Sequence, residues 1–100
     1  MLWAIIRTAS STNAAGREKH HPAHAEYLRS HKKILVLSGP TLTDDGNSVI
    51  GSLLVVNVGS RAEAQAFADA DPYQTAGMFT EVKIIRMRKG QWNAGAMESA

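Results

Sequence analysis

Four short apolar runs, separated by two segments of different rhythm, constrain the fold of this 100-residue chain more than any other feature. The first, Leu2 to Thr8, is apolar and β-branched enough for a strand, and a small-residue loop over Ser10 to Gly16 follows it. Pro22 suits a first helical turn, where its missing N–H loses no partner, and predicts a helix from Pro22 to about Lys32. On that helix His24, Tyr27, Leu28 and His31 share one face, which puts His24 on or at the edge of the side that meets the sheet.

The run Ile34-Leu35-Val36-Leu37 is too short for a helix and is closed by Ser38-Gly39-Pro40, so it reads as a central strand. Turn formers fill Thr41 to Asn47, an exposed loop before a strand that starts at Val49 or Ser52 and ends at Val58. Ser60 and Glu63 have the spacing of a capping box and open an Ala-rich helix over Arg61 to about Ala70, with Phe67 its one large apolar residue. Asp71-Pro72-Tyr73 interrupts that helix, a turn or short helix reaches Gly77, and the last strand covers Glu81 to Arg88. One domain over residues 1–89 is expected, with 90–100 a tail of small and polar residues around Trp92 and Met97.

The order β-α-β-β-α-β implies an α+β, ferredoxin-like fold: a four-stranded antiparallel sheet with both helices on one face. The other face then lacks a cover, and its apolar residues predict a homodimer packed through the sheets. Size points the same way. A chain of this length buries roughly two-thirds of its unfolded surface, which is little from which to build a deep private cavity.

Composition removes several functions. The 11 Lys and Arg against 9 Asp and Glu leave a formal charge of only +2. The basic residues at Lys32-Lys33, Arg86 and Arg88-Lys89 have no interleaved aromatics on which bases would stack, so nucleic acid is not an expected partner. With no cysteine, disulfides, thiolate nucleophiles, Cys-ligated zinc and Fe–S clusters are excluded, which fits a reducing compartment. Met1 to Ile6 is too short a run for a signal-peptide core, and no stretch approaches the ~18 apolar residues of a membrane span, so a cytoplasmic location is expected.

The strings Pro22-Ala23-His24, Ser38-Gly39-Pro40 and Ala68-Asp69-Ala70-Asp71-Pro72-Tyr73, the last followed by Ala76-Gly77-Met78-Phe79, resemble those of the YCII-related family. That family is a branch of the dimeric α+β-barrel superfamily, which also holds muconolactone-isomerase-like enzymes. The resemblance covers roughly Leu2 to Lys89 and implies a dimer with a histidine–aspartate centred pocket, whose pair falls on His24 and Asp71. It also implies an activity: removal of HCl from chlorinated hydroxyhydroquinones, or isomerisation of ring-cleavage lactones in related barrels. One departure is visible. The family usually carries an arginine three residues before its histidine, where this chain has His21, and Arg17 upstream is a candidate for the missing charge.

Read alone, a histidine at the edge of a helix face is ordinarily structural, and an Asp before Pro is ordinarily a turn former. Taken with the resemblance, they form a proton-transfer pair: an imidazole titrates near neutrality, and a carboxylate on its other nitrogen fixes the tautomer. His24 is then the base and Asp71 its orienter, with Ser38 donating to a substrate hydroxyl or oxyanion unless it only stabilises its turn. Arg17 is placed to pair with an anionic group, and Tyr73 and Phe79 to form an aromatic wall or part of the core. Proton transfer on a hydroxylated aromatic needs no metal, nucleotide or flavin. The string His20-His21-x-x-His24 invites a zinc reading, but adjacent histidines do not share a helix face, which leaves only His21, His24 and Asp71 as ligands. Isolated glycines support no nucleotide loop. Two functions follow: a cofactor-independent lyase or isomerase acting on a hydroxylated or chlorinated aromatic, and a non-catalytic dimeric small-molecule-binding or accessory protein.

Overall fold

In the computed structural model, which describes residues 1–10 and 14–100, the alternation of the first strand decides how the sheet faces. Along β1 (Leu2–Ala9) Trp3, Ile5 and Arg7 are buried, while Ile6 and Thr8 are exposed. The chain continues as α1 (Ala14–Ser30), β2 (Leu35–Leu42), β3 (Val49–Asn57), α2 (Arg61–Ala70), the short α3 (Pro72–Thr75) and β4 (Phe79–Met87). The strands form one antiparallel sheet in the order β2-β3-β1-β4, the ferredoxin-like arrangement that the element order implies.

The register places Ile5 opposite both Leu54 and Ile84, and this row faces the helices. Ala64, Phe67 and Ala68 of α2 complete the buried cluster, with Tyr27 and Leu28 of α1 packed against it. The alanines let α2 lie close to the sheet, so Phe67 reaches its core. Truncating such a buried aromatic costs about 3–5 kcal/mol. The register puts Ala4, Ile6, Val55 and Ile85 on the opposite face, where Ile6 and Ile85 are exposed.

Three expectations need correction. The first helix begins at Ala14 rather than Pro22, so the end of the supposed Ser10–Gly16 loop is helical and Pro22 lies inside the helix; Ser11, Thr12 and Asn13 lie outside the described residues. Upstream of the proline, residues such as Ala14, Ala15, Glu18 and Lys19 favour helix, and a proline there removes only one backbone hydrogen bond, which an exposed position can lose to water. The strand expected to stop at Leu37 instead runs through Ser38, Gly39 and Pro40 to Leu42, and it is an edge strand, not a central one. An edge tolerates a residue without an N–H, because one side of the strand has no ladder to complete. The last strand starts at Phe79, two residues before Glu81, and ends at Met87. Elsewhere the local signals hold: Ser60 Oγ accepts from the Glu63 amide at 3.2 Å and caps α2. Gly51 is buried in β3 against Arg7, where an added Cβ would collide with the Arg7 carbonyl oxygen.

Candidate functional site

The break between α2 and α3 is made by one residue. Asp71 ends α2 and caps α3 at once; its extended backbone, φ −62° and ψ 129°, is what a following proline favours. Its carboxylate accepts from the Tyr73 amide at 3.0 Å, which turns the side chain inward beneath α1. From α1, His24 Nδ1 reaches Asp71 Oδ1 at 2.8 Å and Oδ2 at 3.0 Å. A carboxylate can only accept, so the hydrogen belongs to Nδ1, and in the neutral imidazole Nε2 is the lone-pair nitrogen. The imidazole lies flat on Tyr73, with ring centroids 4.0 Å apart and planes 12° from parallel. The Tyr73 hydroxyl in turn donates to the Arg17 carbonyl at 3.2 Å, tying α3 to the first half of α1.

Behind the pair stands a residue that the sequence reading passed over. Arg7 Nη1 lies 2.9 Å from Asp71 Oδ2, and both side chains have no exposed surface. This is a contact of charges rather than an aligned hydrogen bond, since neither Nη1 nor Nη2 finds a hydrogen-bond partner among the described residues. Arg7 Nε donates to Ser52 Oγ at 2.9 Å, and the guanidinium stacks 4.1 Å over the Phe79 ring. The signal was available: Trp3, Ile5 and Arg7 alternate on one strand face, and an arginine in register with two core residues needs a buried anion.

Burial pushes the Asp71 carboxyl upward, but the hydrogen bonds from His24 and the Tyr73 amide, with the charge of Arg7, outweigh it and hold the group below the usual carboxylate value. Burial draws the Arg7 guanidinium below its ordinary value, with Asp71 opposing. Burial also raises the Tyr73 phenol, against the nearby charge of Arg17.

His24, 14 % exposed, opens on a cavity of about 740 Å³ between α1 and the β2–β3 side of the sheet. Arg17, Ser38, Tyr73 and Phe79 also line it, together with His21 and Ser52. Thus the structure brings His24, Ser38, Arg17 and Tyr73 to one cavity, with Asp71 wholly buried behind His24 and out of reach of a ligand. His21 and His24 are 6.4 Å apart by ring centroid, and among the described residues no three His, Asp or Glu side chains converge on a metal position.

The YCII-related domain matches residues 1–88 of this chain. The chain belongs to the YCII-related family. Two curated relatives, each called Protein YciI, from Escherichia coli O6:H1 and Shigella flexneri, are 30 % identical over 96 residues, spanning 89 % of this chain and 98 % of each relative. This YCII-related fold is also similar to a solved structure, 5-chloro-2-hydroxyhydroquinone dehydrochlorinase (TftG) from Burkholderia phenoliruptrix AC1100 in complex with 2,5-dihydroxybenzoquinone. The TM-score is 0.81 and the identity 30 %, over 90 % of this chain and 96 % of that one.

Proposed function

We propose that this protein is a small cofactor-independent lyase or isomerase in which His24 and Asp71 move a proton on a hydroxylated aromatic, with or without a chlorine substituent. The observation that carries the reading is the 2.8 Å contact between His24 Nδ1 and a buried carboxylate, on a ring whose other nitrogen serves a largely apolar cavity. The likeness to a dehydrochlorinase that binds a dihydroxybenzoquinone supports the substrate class. His24 Nε2 takes the proton of a ring hydroxyl, and Asp71 orients the imidazole and balances the charge it acquires. In loss of HCl from a chlorohydroxyhydroquinone, a hydroxyl proton moves to the ring carbon that bears chlorine as the enol ketonises. Chloride then leaves with its bonding pair as a second hydroxyl gives up its proton, so no external oxidant or reductant enters. Ser38 donates to a substrate oxygen, Arg17 pairs with the phenolate, and the edges of Tyr73 and Phe79 flank the ring.

The direct test is turnover of 5-chloro-2-hydroxyhydroquinone, followed by chloride release. His24→Ala and Asp71→Asn should each abolish it while the circular dichroism spectrum stays native; undiminished turnover would remove the proposal. Binding of 2,5-dihydroxybenzoquinone without product from any hydroxylated aromatic tried would instead favour the non-catalytic binding module.

The same reading includes a homodimer through the open sheet face, motivated by the exposed Ile6, Ile85 and Met87. Sedimentation should give twice the 10.8 kDa chain mass, and Ile85→Asp should give monomers. A monomeric wild type would overturn this part alone.

A further inference from the structure

A fully buried arginine is an expensive residue in so small a core, and this one is poorly satisfied as a hydrogen-bond donor: Nε has Ser52, Nη1 has only the charge of Asp71, and Nη2 has no partner among the described residues. Packing alone gives no reason to keep it, because an apolar side chain would fill the space between Phe79 and Ser52 without desolvating a charge. What Arg7 supplies and an apolar residue does not is a permanent cation 2.9 Å from the carboxylate that holds His24.

We propose that Arg7 is a positioning residue of the proton-transfer site: it neutralises Asp71 from behind, so that His24 can hold its bond to the carboxylate without being protonated to balance the buried charge. The inference rests on the reading of His24 as a base. The groups that face Asp71 are few. Arg7 comes from β1, His24 and Tyr27 from α1, and Tyr73 from α3. Arg17, Glu18 and His21 line the cavity on which His24 opens. Among the described residues that face Asp71, Arg7 alone is a permanent cation. Without it, a proton on the imidazole is the nearest charge that can offset the carboxylate, and a protonated imidazole is no base.

Substituting Arg7 therefore has a consequence that a purely structural role lacks. In Arg7→Met, the acid limb of the pH–rate profile should move up by about 1 pH unit or more, because the Asp71 charge then acts on the imidazole with no cation beside it. Turnover lost near neutrality should return in alkali. Arg7→Lys keeps the charge and should keep the acid limb in place, even where the rate falls. Arg7→Met/Asp71→Asn removes both charges and guards against failure of the single variant to fold; it is read without turnover, by the His24 titration below, which it should bring back down.

The second measurement needs no turnover. Side-chain ¹⁵N shifts of His24 should show the imidazolium persisting to higher pH in Arg7→Met than in the wild type, with Arg7→Lys following the wild type. If the titration moves as stated but no substrate is turned over, the positioning role stands and the reaction proposed above falls. An unmoved ¹⁵N titration in folded Arg7→Met, with only the melting temperature lowered, would overturn the inference and leave Arg7 a structural residue.

Discussion

His24 lies on α1 and His31 just past its last residue, seven positions apart, and the same side of the segment offers both to the interior. His24 meets Asp71 and stacks on Tyr73. His31 turns back on its own helix, donating from Nδ1 to the Tyr27 carbonyl at 2.8 Å, with the Phe67 ring 5.4 Å away edge-on. One imidazole lines a cavity and has a buried carboxylate behind it; the other spends its Nδ1 on a backbone carbonyl and packs against an aromatic ring. The difference lies across the interface, in what the second helical segment presents. Near His24 that segment has just been broken by Asp71-Pro72, which aims a carboxylate at α1. Near His31 it is intact α2, which offers an aromatic side chain. Helical periodicity sorts residues onto a face, and the opposing element sorts that face into chemistry and packing.

The sharpest way to break the comparison is to delete each ring in turn. His24→Ala should lower turnover of 5-chloro-2-hydroxyhydroquinone about 10²–10⁴-fold, the usual contribution of a general base. His31→Ala should leave the turnover number near wild type and lower the unfolding free energy by about 1 kcal/mol, read from urea titration. Equal losses of turnover from both would erase the distinction.

Next in size is the carboxylate. Asp71→Ala strands the buried Arg7 charge and should destabilise the fold by about 3–5 kcal/mol in urea titration, beyond any substitution at His31. The pH dependence has the same origin. Because the folded Asp71 carboxyl lies below its unfolded value, its stabilisation is complete above the unfolded value near pH 4 and is lost as pH falls through the folded one. The urea midpoint of the wild type should therefore fall as pH drops below about 4, and Asp71→Asn should flatten that part of the curve. A slope unchanged by the substitution would assign acid sensitivity to other groups.

The smallest effect concerns the support of the ring. Tyr73→Phe keeps the stack under His24 and removes the bond to the Arg17 carbonyl, at a cost of about 1 kcal/mol. If helix-end protection from hydrogen exchange near Arg17 is unaltered in that variant, the hydroxyl is not what ties α3 to α1.

Much of this was legible in the residues, and the failures have physical causes. The capping pair Ser60 and Glu63, the small face of α2 around Phe67 and the break at Asp71-Pro72 are local signals, and each appears where it was read. Pro22 misled because a proline marks a helix start only when the preceding residues do not already favour helix. Ser38-Gly39-Pro40 read as a strand end because nothing local says that the strand lies at an edge. Arg7 was passed over because a charged residue near a strand end is ordinarily solvated, and its burial follows from the Asp71 break and the Phe79 ring that pack against it.

What the sequence by itself determined is the order of elements, the two-faced sheet and the residue types able to do oxygen and nitrogen chemistry without a thiol. These follow from hydrophobic period, capping and composition, which are properties of neighbours along the chain. Only the tertiary structure decided which ionisable groups share a low-dielectric space. Arg7, His24 and Asp71 come from β1, α1 and the α2–α3 break, and no spacing along the chain encodes their distances. Packing α1 and the broken second helix on one face of the sheet closes water out, and in that dry space a carboxylate 2.8 Å from an imidazole and 2.9 Å from a guanidinium makes one electrostatic unit.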